Sequence, residues 1–367
     1  MREYLDGNAA IVRGALAAGC TFFAGYPITP ASGILMAMMA ELPRRGGIAI
    51  QGEDEIASIG MCIGAAMTGA RAMTATSGPG MSLYSENIGL AIMGEVPLVI
   101  VDVQRLGPAT GGATTVGQGD VQLVRWGTSG GYPIIALAPA TVAECYTLTA
   151  KAFDLAERFR CPVFVLADKE VATTLATVDA DAFRPMAVRP RELATTGAPY
   201  RYAPAGEIVP LHRYGLGDTI RFTGSTHDEG AVITKHPPTV AALNHHLAAK
   251  IEEHLDDLEL VTSDLQPGAR TLIVSYGVTA GAARLAVEQA RAAGRAVSHL
   301  VIASLWPVPE AAIGAALEGV ERVVVPELNL GQYRREIERL AGERTVAGIN
   351  RVDGELIGVE EIAEAIA

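Results

Sequence analysis

Short apolar runs alternate with longer amphipathic stretches from the amino terminus to about residue 174. The runs 21–24, 72–76, 98–103, 134–137 and 163–166 have the length and apolar content of buried strands. The stretches 7–18, 34–42, 56–68, 82–93 and 142–159 read as helices, rich in alanine and glycine. Such alternation predicts an α/β domain with a parallel sheet, since parallel strands need a crossover long enough to hold a helix. Between about 175 and 238 the regularity gives way to clustered prolines, glycines and charges, the composition of a linker or a lid. A second α/β unit follows from about 270, with strands predicted at 272–276, 297–302 and 322–325 and helices at 281–292 and 334–340. Its Trp306-Pro307-Val308-Pro309 run predicts a rigid loop closing the second of these strands. The predicted division is therefore 1–175, an irregular region with a helix over 176–262, and 263–367.

Composition narrows the function classes. The apolar fraction of 49% points to extensive internal packing or large subunit interfaces, yet no run reaches the uninterrupted length of a membrane span. No basic, apolar and small-residue succession opens the chain, so no signal peptide is read and a cytoplasmic address is expected. A net charge of −12 without a basic stripe argues against nucleic acid as a partner. Cys20, Cys62, Cys145 and Cys161 stand apart in apolar contexts, so no thiolate cluster is expected on this chain. His212, His227 and His236 likewise carry no metal-site spacing, and no metal ligand is assigned.

Candidate chemistry gathers where predicted strands end. Tyr26-Pro27-Ile28-Thr29-Pro30 follows the first strand, and its prolines must stop that strand. Thr29 is predicted to cap the next helix, with Pro30 at its first position. Such a strand–loop–helix at a carboxyl edge is where open α/β sheets bind ligands, although the same residues also fit a plain capped turn. Gln51-Gly52-Glu53-Asp54-Glu55 places three carboxylates before a helix with small residues at Ala57, Gly60, Gly64 and Ala65. The helix dipole accounts for at least two of them, and a third carboxylate is free for chemistry. Thr76-Ser77-Gly78-Pro79-Gly80 opens another helix and fits either a ligand-facing backbone or a tight turn. Arg105 ends a further strand, where it suits a substrate carboxylate or simply the protein surface.

Taken together, these motifs make the chain resemble the alpha subunit of the 2-oxoacid:ferredoxin oxidoreductases, in particular the 2-oxoglutarate type. The resemblance rests on the runs above and on Gly7-Asn8-x-Ala10, Gln104-Arg105-x-Gly107-Pro108 and Glu327-Leu328-Asn329-x-Gly331-Gln332, and it spans nearly the whole length. It implies a pyrimidine-type thiamine-diphosphate-binding domain followed by a transketolase-C-terminal-like α/β domain. It further implies that Glu53 contacts the aminopyrimidine ring, that Thr29 and Arg105 hold the 2-oxoacid, and that Tyr26, Pro27, Ile28 and Ser77 line the cofactor.

The family's Gly-Asp-Gly diphosphate element has no match here, since Leu216-Gly217-Asp218-Thr219 lacks the second glycine. The resemblance thus implies a beta subunit carrying the diphosphate and Mg2+ site and an iron-sulfur cluster, with gamma or delta subunits left open. Coenzyme A is the implied co-substrate, ferredoxin or another carrier the electron acceptor, and oxidative decarboxylation the reaction. Pyruvate and branched-chain 2-oxoacids remain alternative substrates, because Thr110-Gly111-Gly112-Ala113-Thr114 departs from the Thr-Gly-Leu-Pro-Thr of many oxoglutarate-type relatives. A non-catalytic scaffold remains an alternative role.

Overall fold

The computed structural model describes residues 2–184, 186–216 and 219–367. In chain order the first region runs β1 (Arg2–Leu5), α1 (Gly7–Ala17), β2 (Phe22–Gly25), α2 (Ser32–Glu41), β3 (Ile48–Gln51), α3 (Glu55–Met67), β4 (Ala72–Thr76) and α4 (Gly78–Met93). It continues with β5 (Leu98–Gln104), α5 (Val121–Trp126), β6 (Ile135–Leu137), α6 (Val142–Phe159), β7 (Pro162–Asp168), α7 (Lys169–Thr173) and β8 (Ala176–Asp179). All five strands expected from the apolar runs are present. The edge strand β3 was not expected, because its residues Ile48 to Gln51 are largely exposed and carry no buried-strand pattern.

The strands β6, β7, β5, β4, β2 and β3 lie side by side in that order and run parallel. Alternation along β5 explains the two layers against this sheet. Val99, Val101 and Val103 face a core built with α1, α2 and α6, whereas Leu98 and Ile100 face the core shared with the second domain. The boundary drawn at 175 is crossed directly, since β8 folds back to pair antiparallel with β1.

The irregular region holds the two-residue strands β9 (Leu193–Ala194) and β10 (Leu211–His212), then α8 (Pro237–Glu252) and α9 (Leu255–Leu258). Part of the Leu216 to Thr219 string lies outside the described residues. Buried Glu95 accepts from Lys250 Nζ at 3.2 Å and pairs with His246 Nε2 at 3.1 Å, which fastens α8 to the first domain.

The second domain runs β11 (Val261–Asp264), β12 (Thr271–Ser275), α10 (Thr279–Ala292), β13 (Val297–Ile302), β14 (Ser304–Trp306), α11 (Glu310–Ala316), β15 (Arg322–Glu327), α12 (Arg334–Ala341), β16 (Thr345–Asn350) and α13 (Val359–Ala365). Its sheet has the order β11, β13, β12, β15, β16 and is parallel except for β11. Trp306, expected in a loop, instead ends the strand β14. That separate strand leaves this sheet and pairs antiparallel with β6 of the first one. There Trp306 Nε1 donates to the Val121 carbonyl at 3.1 Å, so the apolar strand and its indole are satisfied across the domain boundary. One continuous core therefore joins the two domains, with Ala24, Met81 and Tyr84 packed in the same cluster as Leu272, Val274 and Tyr333.

Candidate active site

The order of the first sheet sets the location. β2 pairs with β3 on one side and β4 on the other, so successive connections diverge at its carboxyl end and leave a crevice there. The residues 26–30 leave β2 at this crevice. Tyr26, Pro27 and Thr29 are exposed, and Ile28 packs against the core of the first face. Thr29 does not cap the helix. α2 begins at Ser32 after a turn over 29–31, and its cap position is Ala31, which makes no side-chain cap bond. Pro30 instead turns the chain so that its carbonyl accepts from buried Asn8 Nδ2 at 3.1 Å. Gly33 makes room for that amide, because a Cβ there would stand 2.8 Å from Asn8 Nδ2. The Gly7-Asn8 motif thus anchors the loop.

Arg105 reaches the same loop from the end of β5. Its side chain is buried, and its guanidinium donates to the Thr29 carbonyl at 2.5 Å and to the Thr110 carbonyl at 3.0 Å, while Nε has no partner. Thr29 and Arg105, which lie 76 positions apart, are brought together.

The three carboxylates of the 53–55 run separate by environment. Asp54 caps α3, accepting from the Ala57 N–H at 2.7 Å, and Glu53 is exposed to solvent. Glu55 is 7% exposed and has no hydrogen-bond or ion-pair partner among the described residues. It lies across the first turn of α4, where a Cβ on Gly80 would meet Glu55 Oε1 at 3.1 Å and Thr76 Oγ1 at 1.9 Å. The absence of a side chain at position 80 is what admits the carboxyl to the positive end of α4. Nearby Ser77 Oγ is buried without a partner, and Ser77 makes no side-chain bond to cap α4. Gly60 and Gly64 on α3 face open space.

A second set of polar groups lies behind the crevice. On β5, Asp102 and Gln104 fall on the face of Leu98 and Ile100, turned toward the second domain. Burial and the neighbouring Asp120 carboxyl push Asp102 well above the usual carboxylate range, and both of its oxygens lack donors. Asp168 at the end of β7 accepts from Gln104 Nε2 at 3.3 Å, Gln118 Nε2 at 2.9 Å and the Val278 N–H at 2.6 Å. A cavity of about 550 Å³ opens between the domains, lined by Gly78, Ser82, Arg105, Asp120, Asn329 and Gln332.

The four cysteines are buried, and burial pushes Cys20 and Cys161 up to about 12 and Cys62 and Cys145 higher, so they are inert thiols. Among the described residues no group of His, Cys, Asp and Glu could hold a metal ion, and no helix is long and apolar enough to cross a membrane.

Residues 13–238 match the family described as pyruvate flavodoxin/ferredoxin oxidoreductase, thiamine diphosphate-binding, and residues 269–362 match pyruvate:ferredoxin oxidoreductase core domain II. The chain belongs to the 2-oxoacid:ferredoxin oxidoreductase family. Within it, the chain is 41% identical to the 2-oxoglutarate synthase subunit KorA of Methanothermobacter thermautotrophicus, over 99% of this chain and 97% of the relative. It is 36% identical to the ketoisovalerate oxidoreductase subunit VorB of the same organism, over 99% of this chain and 97% of the relative. The solved 2-oxoglutarate:ferredoxin oxidoreductase from Magnetococcus marinus, with 2-oxoglutarate, coenzyme A and succinyl-CoA bound, matches with a TM-score of 0.93 and 31% identity. That match covers all of this chain and 64% of the solved one. The expected fold, a thiamine-diphosphate-binding domain followed by a second α/β domain of this family, stands.

Asp102, Gln118, Asp120 and Asp168 were not singled out from the sequence. Their signal was available in part, because Asp102, Gln104 and Asp168 interrupt the apolar faces of two fully buried strands. Gln118 carries no such signal, since it belongs to an irregular loop.

Proposed function

We propose that this chain is the alpha-type subunit of a thiamine-diphosphate-dependent 2-oxoglutarate:ferredoxin oxidoreductase. The reaction takes 2-oxoglutarate, coenzyme A and an oxidised acceptor to succinyl-CoA, CO2 and reduced acceptor. The observation that carries the reading is the bond from Arg105 to the Thr29 carbonyl at the carboxyl edge of the sheet, with the buried Glu55 carboxyl beside Gly80 at the same edge.

The residues present fit the cofactor. Glu55 is a buried carboxyl with nothing bonded to it, Ser77 Oγ is an orphaned polar atom, and the cradle at Gly80 would be filled by any Cβ. Thiamine diphosphate, when bound, supplies the electron sink that decarboxylation of a 2-oxoacid needs. Glu55, buried within this chain, or Glu53, selected by the family's Gln-x-Glu spacing and exposed on the chain by itself, would hold a proton against the aminopyrimidine ring. A desolvated carboxyl exchanges a proton with a ring nitrogen far more effectively than one in bulk water, where solvent competes for both partners. Pro27 and Ile28 would form a rigid wall beside the ring. Arg105, already oriented by two carbonyls, has donor capacity left for the substrate carboxylate, and Thr29, whose carbonyl it holds, is exposed.

The diphosphate with its Mg2+, and the iron-sulfur cluster that passes electrons to ferredoxin, are assigned to a beta subunit. The inert cysteines and the lack of a metal-binding cluster among the described residues support this division. Exposed Ile56 and the open faces of Gly60 and Gly64 beside the crevice suit coverage by that subunit. The test is acceptor reduction by the complex purified with its partner subunit, across 2-oxoglutarate, pyruvate and 2-oxoisovalerate. Turnover restricted to 2-oxoisovalerate would overturn the substrate, and no coenzyme A-dependent turnover with any of them would overturn the activity.

A further inference from the structure

The Glu327-Leu328-Asn329-x-Gly331-Gln332 run belongs to the second domain, where Glu327 accepts from the Tyr276 hydroxyl and Asn329 Oδ1 from the Gly331 and Gln332 N–H groups, yet Leu328, Asn329 and Gln332 also bond to the first domain. The Gln118 N–H donates to the Leu328 carbonyl at 2.9 Å, and the Leu328 N–H donates back to Gln118 Oε1 at 3.0 Å. Asn329 Nδ2 donates to the Gln118 carbonyl at 2.8 Å. Gln332 Nε2 donates to the Gly119 carbonyl at 2.8 Å, and Gln332 Oε1 accepts from the Gln122 N–H at 2.9 Å. Gln118 is fully buried and has one remaining donor group, Nε2, which it gives to Asp168 at 2.9 Å and to the Tyr276 carbonyl at 3.5 Å.

Asp168 also holds Gln104, the residue before Arg105. Its carboxylate is pressed against Gly277, where φ is +55° and a Cβ would stand 2.1 Å from Asp168 Oδ2. Only glycine allows this approach. The loop that begins at Arg105 is therefore gripped at both ends. Its start is tied through Gln104 and Asp168, and its end through Gln118. Between them the loop closes on itself, with the Leu106 N–H donating to the Thr115 carbonyl at 2.9 Å and the Gly112 N–H to the Leu106 carbonyl at 2.8 Å.

We propose that the Leu328, Asn329 and Gln332 segment of the second domain is a positioning element of the active site, holding Arg105 in register with Thr29 through Gln118, Asp168 and Gln104. None of the three residues needs to touch substrate. They fix the backbone from which the Arg105 guanidinium projects, and a guanidinium that must reach a carboxylate loses binding steeply when displaced. The grip also accounts for a second domain that carries no catalytic residue of its own in this reading.

The inference rests on Arg105 as the substrate-carboxylate ligand, so the experiment includes that residue. Asn329→Ala and Gln332→Ala are compared with Arg105→Lys in the complete complex, by steady-state kinetics in 2-oxoglutarate and in coenzyme A and by near-ultraviolet circular dichroism. Each of the two second-domain variants should raise KM for 2-oxoglutarate about tenfold, with kcat within about threefold and KM for coenzyme A unchanged. A general loss of structure would instead lower active enzyme and kcat without moving KM. Gln332 is only half-buried, so its variant keeps the test in hand if Asn329→Ala does not fold. Parental KM in both variants, with Arg105→Lys raised, overturns the positioning role and leaves the Arg105 assignment standing. Parental KM in Arg105→Lys overturns the assignment itself.

Discussion

Replacement of Glu55 by glutamine tests the assignment of the carboxyl at the crevice. The change keeps the volume that packs against Gly80 and removes only the charge and the exchangeable proton. Glu55 is 7% exposed, so little water replaces what is lost. A hydrogen bond to a charged group contributes about 1.5–3 kcal/mol, and a positioned proton-transfer group contributes roughly 10²–10⁴ in rate. A fall in kcat of about 10²–10³ is expected, or about 2.7–4 kcal/mol in the barrier. Folding should change little, because the charge at the start of α3 and near α4 contributes about 0.3–1 kcal/mol through the helix dipoles. Glu53→Gln is the comparison, and as a substitution exposed on this chain it should change folding stability by about 0.5 kcal/mol at most. The assay is dye reduction by the complex with its partner subunit, alongside calorimetric titration with thiamine diphosphate to measure binding without turnover. Near-parental kcat in Glu55→Gln together with a hundredfold loss in Glu53→Gln would return the role to Glu53 and refute the argument from burial.

Further predictions follow from the same geometry. Gly80→Ala should displace the Glu55 carboxyl, since the new methyl would stand 3.1 Å from Oε1, and should weaken cofactor binding in calorimetry; unchanged binding would count against the cradle. Lys250→Met should cost about 3–5 kcal/mol in urea denaturation, because it strands the buried Glu95 charge beside α8, and a change under 1 kcal/mol would show the pair to be dispensable. Burial alone would raise the Glu95 carboxyl, but Lys250, His246 and Arg160 outweigh it and hold the group well below its ordinary range. The stability this group contributes is thus whole above an unfolded value of about 4.5 and lost as pH falls, which acid titration of the melting temperature should reveal. Asp168 behaves in the opposite sense. Burial pushes its carboxyl up to about 7 against hydrogen bonds from Val278 and Gln118, so its contribution is whole below the unfolded value of 3.8 and lost as pH rises through 7. Asp168→Asn should flatten the decline of Tm across that window, and an unchanged slope would exclude the group as its source.

The chain's periodicity determined much by itself. Buried parallel strands announce themselves as apolar runs, and the prolines and glycines at their ends mark where the backbone must turn, because these constraints are local. The loop at 26–30, Arg105 and the carboxylate run were therefore legible as candidates at strand ends. Which carboxylate of that run is desolvated was not, since Glu53 and Glu55 differ only in what lies across from them, and Gly80 comes from another helix. Nor could the pattern show that Thr29 is held by Arg105 instead of capping α2, or that β14 joins the sheet of the first domain. The service of Leu328 and Asn329 to Gln118, about 210 positions away, was equally hidden. Those matters were decided by long-range hydrogen bonds and shared burial, which come into being only when distant segments are packed together and water is excluded between them.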